Sequence, residues 1–226
     1  SRSRAADDPV CPASLKGDCF MNRIITVSRE FGSGGRELAR RLAEKLGVAY
    51  YDQEIITEIA KRTDLSVGYV KQITANRPFA SFPLHIGEHL GQSLYVDPVL
   101  QQSSSVYGEQ HKIIQEIADK SDCLIVGRCA DYILRDRHPF RIFVYASIEN
   151  KVARCMAHRT AGESDNVQEM KKKICSLDRN RAKYYEFYCD QKWGARENYD
   201  LMVNTRGEDV EKTADAVYDY LMKILK

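Results

Sequence analysis

The stretch from Ile24 to Leu46 constrains this fold more than any other. A short β-branched run, Ile24-Ile25-Thr26-Val27, enters a loop carrying Gly32, Gly34 and Gly35, and the loop enters a helix at once. Leu38, Leu42, Ala43 and Leu46 recur at helical spacing, with Arg36, Arg40, Arg41, Glu44 and Lys45 on the wet face, and Gly47 supplies the stop. A strand that turns through glycines into a helix gathers unpaired backbone N–H groups and the positive end of the helix dipole at one point, an arrangement that cradles phosphate. The plainer reading is a tight connection whose glycines only permit positive φ.

Downstream, strands and helices alternate. Val48-Ala49-Tyr50-Tyr51-Asp52 reads as a second strand, and residues 54–62 and 66–74 as two helices, the second capped by Ser66. Residues 76–108 break every period with Pro78, Pro83, Gly87, Gly91, Pro98 and the Gln101 to Ser105 run, and they read as a mobile insert over a site. Regularity returns with a helix at 109–120, strands Cys123–Val126 and Arg141–Ala146, a helix at 148–159 and a long charged helix near 165–187. The strand Asp200–Asn204 and a helix near 209–225 follow. Apolar runs such as CLIV and IFVYA suit strands buried on both faces of a parallel sheet. The expectation is an α/β three-layer fold around a five-stranded parallel sheet, with its ligand at the carboxyl ends of the strands.

With 226 residues and 43% hydrophobic content, the chain suits one domain over residues 23–226. Residues 1–22 are polar and unpatterned and read as a flexible leader, with Met21 a candidate start. Lys and Arg number 34 against 32 Asp and Glu, so no global field of one sign points to nucleic acid or an anionic membrane, and any anion site is local. No run approaches the roughly 18 apolar residues of a membrane span, and no signal peptide is visible. The seven cysteines form no C-x-x-C pair, which fits reduced thiols in a cytoplasmic protein.

The loop departs from the phosphate-loop pattern G-x-x-x-x-G-K-[ST]. Setting Gly34 at the second glycine puts Arg29 at the first glycine, Gly35 at the lysine and Arg36 at the Ser/Thr. A shift of one residue lets Gly35-Arg36-Glu37 stand for Gly-Lys-Ser, with Arg36 supplying the cation and Glu37 near the magnesium position. Arg is always charged and forks onto phosphate oxygens, but it is larger than Lys.

The segments ITVSREFGSGGRELARRLAEKLGVAYYDQEIITEIAKR, CLIVGRCADYIL and DRNRAKYYEFYCDQKWG resemble the cytidylate kinase-like family over about residues 23–225. The resemblance implies a P-loop kinase fold with a helical monophosphate-binding insert at about 54–108 and an Arg-rich lid at about 155–187. It also implies transfer of the ATP γ-phosphoryl group, with Mg2+, to a nucleoside monophosphate, CMP or dCMP favoured. Carried over by position, Gly32, Ser33, Gly34, Gly35, Arg36 and Glu37 match the donor phosphate loop, and Asp52 matches an Asp beside the acceptor. Arg128 of Gly127-Arg128 would grip the acceptor phosphate, and Asp131 would read the base. Arg154 and Arg159, then Arg179 and Arg181 with Asp178 beside them, resemble the lid arginines that neutralise charge on the transferring group. The family's acceptor-phosphate Arg falls near Glu58 here, with Arg62 a substitute, and Val126 stands where the bacterial enzymes carry an Asp before Gly-Arg. Such chemistry needs in-line positioning and dispersed positive charge rather than a covalent nucleophile.

Other readings compete. Tyr184, Tyr185, Phe187, Tyr188 and Trp193 either stack on a base or pack helices, packing being the default. His85-Ile86-Gly87-Glu88-His89 matches H-x-x-E-H, the pattern of a zinc metallohydrolase with His85 and His89 as ligands and Glu88 as base. The missing loop lysine and Val126 also fit a regulator that binds nucleotides without kinase activity.

Overall fold

The computed structural model describes residues 23–75, 98–159, 166–207 and 209–224. His85, Glu88 and His89, residues 1–22 and residues 76–97 of the expected insert lie outside them. β1 (Ile24–Arg29), β2 (Ala49–Tyr51), β3 (Cys123–Val126), β4 (Phe140–Tyr145) and β5 (Leu201–Asn204) form one parallel sheet in the order β2-β3-β1-β4-β5. Thr26 pairs with Ile125 on one side and Arg141 on the other. β1 therefore sits at the centre, where the strand order reverses, which is where sheets of this kind bind ligands.

Alternation along the central strands divides the core in two. Ile24, Cys123 and Ile125 face one layer, made of α2 (Gln53–Thr63), α3 (Val67–Ala75), α4 (Pro98–Lys120) and α5 (Ala130–Ile133). Ile25, Val27, Leu124, Val126, Ile142 and Val144 face the other, made of α1 (Gly35–Leu46) and α8 (Val210–Ile224). α1 packs through Leu38, Ala39, Leu42 and Ala43, and Gly47 ends it in the left-handed region with its N–H on the Ala43 and Glu44 carbonyls. A third, smaller cluster joins α6 (Ile148–Ala157) to α7 (Val167–Cys189) through Val152, Met170 and Ile174, with Phe31 of the glycine loop against it. This is the three-layer parallel architecture read from the sequence.

The Ser66 cap holds, its Oγ accepting from Tyr69 N at 3.2 Å. One helix departs from expectation. α4 begins at Pro98, eleven residues before the first turn read from the sequence, and runs through the Gln and Ser residues taken for an insert. Ser103, Val106 and Gln110 are buried on one face, and tertiary packing outweighs the weak helix preference of that segment.

Candidate active site

At the carboxyl end of β1 the chain leaves Arg29 and turns. Ser33 Oγ donates to the Glu30 carbonyl at 2.8 Å and accepts from Gly35 N at 3.3 Å, closing the loop on itself. Gly34 caps α1 with φ +78°, and a Cβ there would come within 2.8 Å of Val210, so the position is closed to other residues on two grounds. Helix geometry leaves the N–H groups of Arg36 and Glu37 without intrahelical acceptors, at the positive end of the dipole. The loop is braced from behind. Asp178 Oδ1 accepts from Phe31 N at 2.6 Å, and Lys151 Nζ donates to Asp178 at 2.9 Å and to Glu30 at 3.0 Å.

Asp52 ends the β2 connection and caps α2; its side chain is buried. Arg36 Nε lies 2.6 Å from its Oδ2, while Arg29 Nη2 stands 3.6 Å from Oδ1, which accepts no hydrogen bond from a described residue. From the next strand end come Gly127, Arg128 and Cys129 with φ of +68°, +61° and +56°. Two successive non-glycine residues in the left-handed region carry strain of about 1–3 kcal/mol each, the kind of cost found at functional sites. The kink is held by Gln110, whose Nε2 donates to the Arg128 carbonyl at 2.9 Å. Arg128 Nη1 donates to Thr74 Oγ1 at 2.9 Å, and its buried Nε has no partner among the described residues.

Two cavities open here. The first, of 630 Å³, is lined by the glycine loop together with Phe31, Arg154 and Met170; the second, of 270 Å³, by Ser28, Thr74, Arg128, Tyr184 and Trp193. Arg29, Arg36, Gln53 and Arg181 line both. Burial, reinforced by Arg181, pulls the Arg29 guanidinium down to about 9, with Asp52 opposing; burial likewise lowers Arg128 and Arg181. The cluster is positive beyond what its carboxylates offset, so an anion arriving between the cavities is favoured.

The sequence-derived candidates divide. Gly32, Gly34, Gly35, Arg36, Asp52, Arg154 and Arg181 line the first cavity, Arg128 lines the second, and Ser33 is buried in the loop turn. Glu37 also lines the first cavity, but Arg41 and Arg154 hold its oxygens. Burial opposes its ionisation, yet those two arginines keep its carboxyl below the usual range, so it stands as an ion-pair partner rather than an open metal ligand. Arg62 is not at the site: Glu116 takes it in a fork at 2.8 Å and 2.8 Å, and Glu58 takes its Nε, on the surface between α2 and α4. Asp131 lines neither cavity; it is buried behind Tyr185, whose hydroxyl donates to it at 2.8 Å. Arg159 and Arg179 are exposed and line neither. In the aromatic cluster, Tyr188 stacks on Tyr107 at 3.9 Å and Trp193 meets Phe143 edge-on, while Tyr184, Tyr185 and Trp193 also wall the second cavity. Arg29, Glu30 and Lys151 are features of the cleft that the sequence did not bring forward, and Asp178, grouped there with the lid, braces the glycine loop through Phe31 N and Lys151.

This sheet order, glycine loop and arginine-rich cleft define a P-loop kinase fold. A shikimate kinase from Bacteroides thetaiotaomicron superposes with a TM-score of 0.53 at 16% identity, covering 88% of this chain and 98% of that one. An uncharacterized protein from Eubacterium ventriosum superposes with a TM-score of 0.63 at 26% identity, over 88% of this chain and 98% of that one. The profile of the cytidylate kinase-like family matches residues 24–207, and the chain belongs to that family. A cytidylate kinase from Staphylothermus marinus is 25% identical over 210 residues, 90% of this chain and 98% of that protein.

Proposed function

We propose that the protein transfers the γ-phosphoryl group of ATP to a nucleoside monophosphate, with CMP or dCMP the favoured acceptor. The observation that carries this reading is the junction of two cavities at one set of guanidiniums around Asp52. In this reading the first cavity takes the donor, with Gly32 to Gly35 and the free N–H groups of α1 on its phosphates and Arg154 beside them. The second takes the acceptor: Arg128 holds its phosphate through the unpartnered Nε, and the aromatic wall of Tyr184 and Trp193 covers the rest. Arg181, from α7, neutralises charge from above. The family and the relative named cytidylate kinase support the acceptor class.

Mg2+, when bound, supplies charge neutralisation across the donor phosphates. Among the described residues no cluster of three or more acidic, His or Cys side chains stands ready to cage a metal. Asp52 fits such an ion, because Mg2+ asks for one or two carboxylates beside phosphate and water, and Asp52 Oδ1 is a buried oxygen with its bonding capacity open. Glu37 does not, being held by Arg41 and Arg154.

The test is ADP release from Mg-ATP against CMP, dCMP, UMP, AMP and GMP, with Asp52→Ala and Arg128→Ala as controls. Activity with one monophosphate that both variants lose by about 10²-fold or more is the expected result. The glycine loop without its lysine favours a second reading, a nucleotide-binding regulator without kinase activity. Tight ATP binding with no ADP release across the panel would favour that reading, or a kinase for another small molecule, over a nucleoside-monophosphate kinase.

A further inference from the structure

The three guanidiniums shared by the cavities differ in what holds them. Arg36 is tied to Asp52 at 2.6 Å, and its side chain is 58% exposed. Arg181 donates to the Arg29 carbonyl at 3.0 Å, stands 3.8 Å from Asp178 and lies over the Phe31 ring. Arg29 has no comparable commitment. Its ion-pair partner among the described residues is Asp52, and 3.6 Å is beyond hydrogen-bond reach. Yet its side chain is only 13% exposed, and its Nη1 passes so close to Gly127 that a Cβ at that position would stand 2.0 Å away. Gly127 thus makes room for this one side chain at the mouth between the cavities.

A guanidinium carries five donors in a planar fork, and burial without acceptors is costly unless a ligand provides them. Two groups near it are orphaned outright: Arg128 Nε and Asp52 Oδ1 are buried with no hydrogen-bond partner among the described residues. Asp52 lines the first cavity, Arg128 the second, and Arg29 both.

We propose that Arg29 is the cation that receives the phosphoryl group in transit between donor and acceptor, the task that lysine performs in an ordinary phosphate loop. This inference rests on the phosphotransferase reading above. In the step, the bond between the γ-phosphorus and the bridging oxygen breaks and ADP keeps its electron pair. An acceptor phosphate oxygen supplies the pair for the new P–O bond; with a fully ionised acceptor no proton moves and total charge is conserved. Charge spreads over the three equatorial oxygens in the transition state, and a planar fork spans two of them where a point ammonium meets one. Although burial brings Arg29 down to about 9, it is still protonated at neutral pH, and an arriving anion raises it again. Arg36, held by Asp52, positions that carboxylate.

Arg29→Met and Arg29→Lys test the assignment with two measurements. The first is kcat and KM with Mg-ATP and the accepted monophosphate; the second is the rise in melting temperature on adding inorganic tripolyphosphate, which needs no acceptor and no turnover. Arg29→Met is expected to lower kcat by about 10²-fold or more, with KM for ATP changing less than kcat does, and to lose most of the tripolyphosphate shift. Arg29→Lys recovers part of both. Gly127→Ala keeps Arg29 but crowds its Nη1, and is expected to move both readouts the same way, which keeps the test decisive if Arg29→Met does not fold. Wild-type kcat and an unchanged shift in a folded Arg29→Met overturn the proposal. A wild-type protein inert toward every monophosphate, yet protected by tripolyphosphate only when Arg29 is present, sinks the acceptor reading and leaves the Arg29 site standing.

Discussion

Asp131 carries a carboxyl that the fold keeps out of water. Burial raises its pKa; the Tyr185 hydroxyl and nearby backbone N–H groups pull the other way without prevailing. A folded pKa above the unfolded value of about 3.9 means that folding retains the proton. The contribution of Asp131 is therefore complete below pH of about 4 and is lost as pH rises through the folded value. Asp131→Asn keeps an acceptor for Tyr185 and carries no charge, so it should match wild type in urea denaturation at pH of about 3 and exceed it at neutrality. A difference independent of pH would mean that the wild-type carboxyl is not held protonated by the fold. The residue also illustrates what a motif conceals. In Gly127-Arg128-Cys129-Ala130-Asp131 the Asp keeps its place in the series, but α5 turns it into the core, where it accepts from the hydroxyl of Tyr185, a residue that lines the second cavity as Asp131 does not. Arg29 is concealed in the opposite way: a pattern scores it as a glycine that is missing, and says nothing of what the arginine does instead.

Among the elements, α6 and α7 are joined to the glycine loop by Lys151 between Glu30 and Asp178. Burial lowers the affinity of this lysine for its proton, but hydrogen bonds to Asp178 and Glu30 more than offset that and leave its pKa raised. Lys151→Met would leave two largely covered carboxylates facing each other, at a cost of about 3 kcal/mol in urea denaturation. It should also raise KM for ATP, because Asp178 orients Phe31 N and thereby the loop. A loss of stability with KM unchanged would separate the brace from the donor site. Apolar runs with β-branched residues locate all five strands to within a residue or two, because strands buried on both faces admit little else. α4 was less legible: its buried face uses Ser103 and Gln110, polar residues whose place is set by partners far away in sequence. The four-residue α5 carries no periodicity to read.

For the molecule as a whole, a net charge of +2 means that the proposed phosphate recognition rests on local geometry: cations collected from the ends of β1 and β3, from α1 and from α7 into one cleft. Anions that enter it should stabilise the entire fold, since these elements come from both layers and separate on unfolding. At about 100 times its Kd, Mg-ATP adds about 2.7 kcal/mol. For a domain of this size that corresponds to a rise of roughly 5–10 °C in melting temperature by differential scanning calorimetry. The cavities share Arg29, Arg36 and Arg181, so a donor and an acceptor bound together draw on the same positive charge. Without Mg2+, ATP and CMP together should therefore raise the melting temperature by less than the sum of their separate shifts. Restoring Mg2+ neutralises donor charge and should return the pair toward additivity. Shifts that add fully without the metal would mean that the two anions do not meet at common arginines, and the junction would then be two separate sites rather than one path for a phosphoryl group.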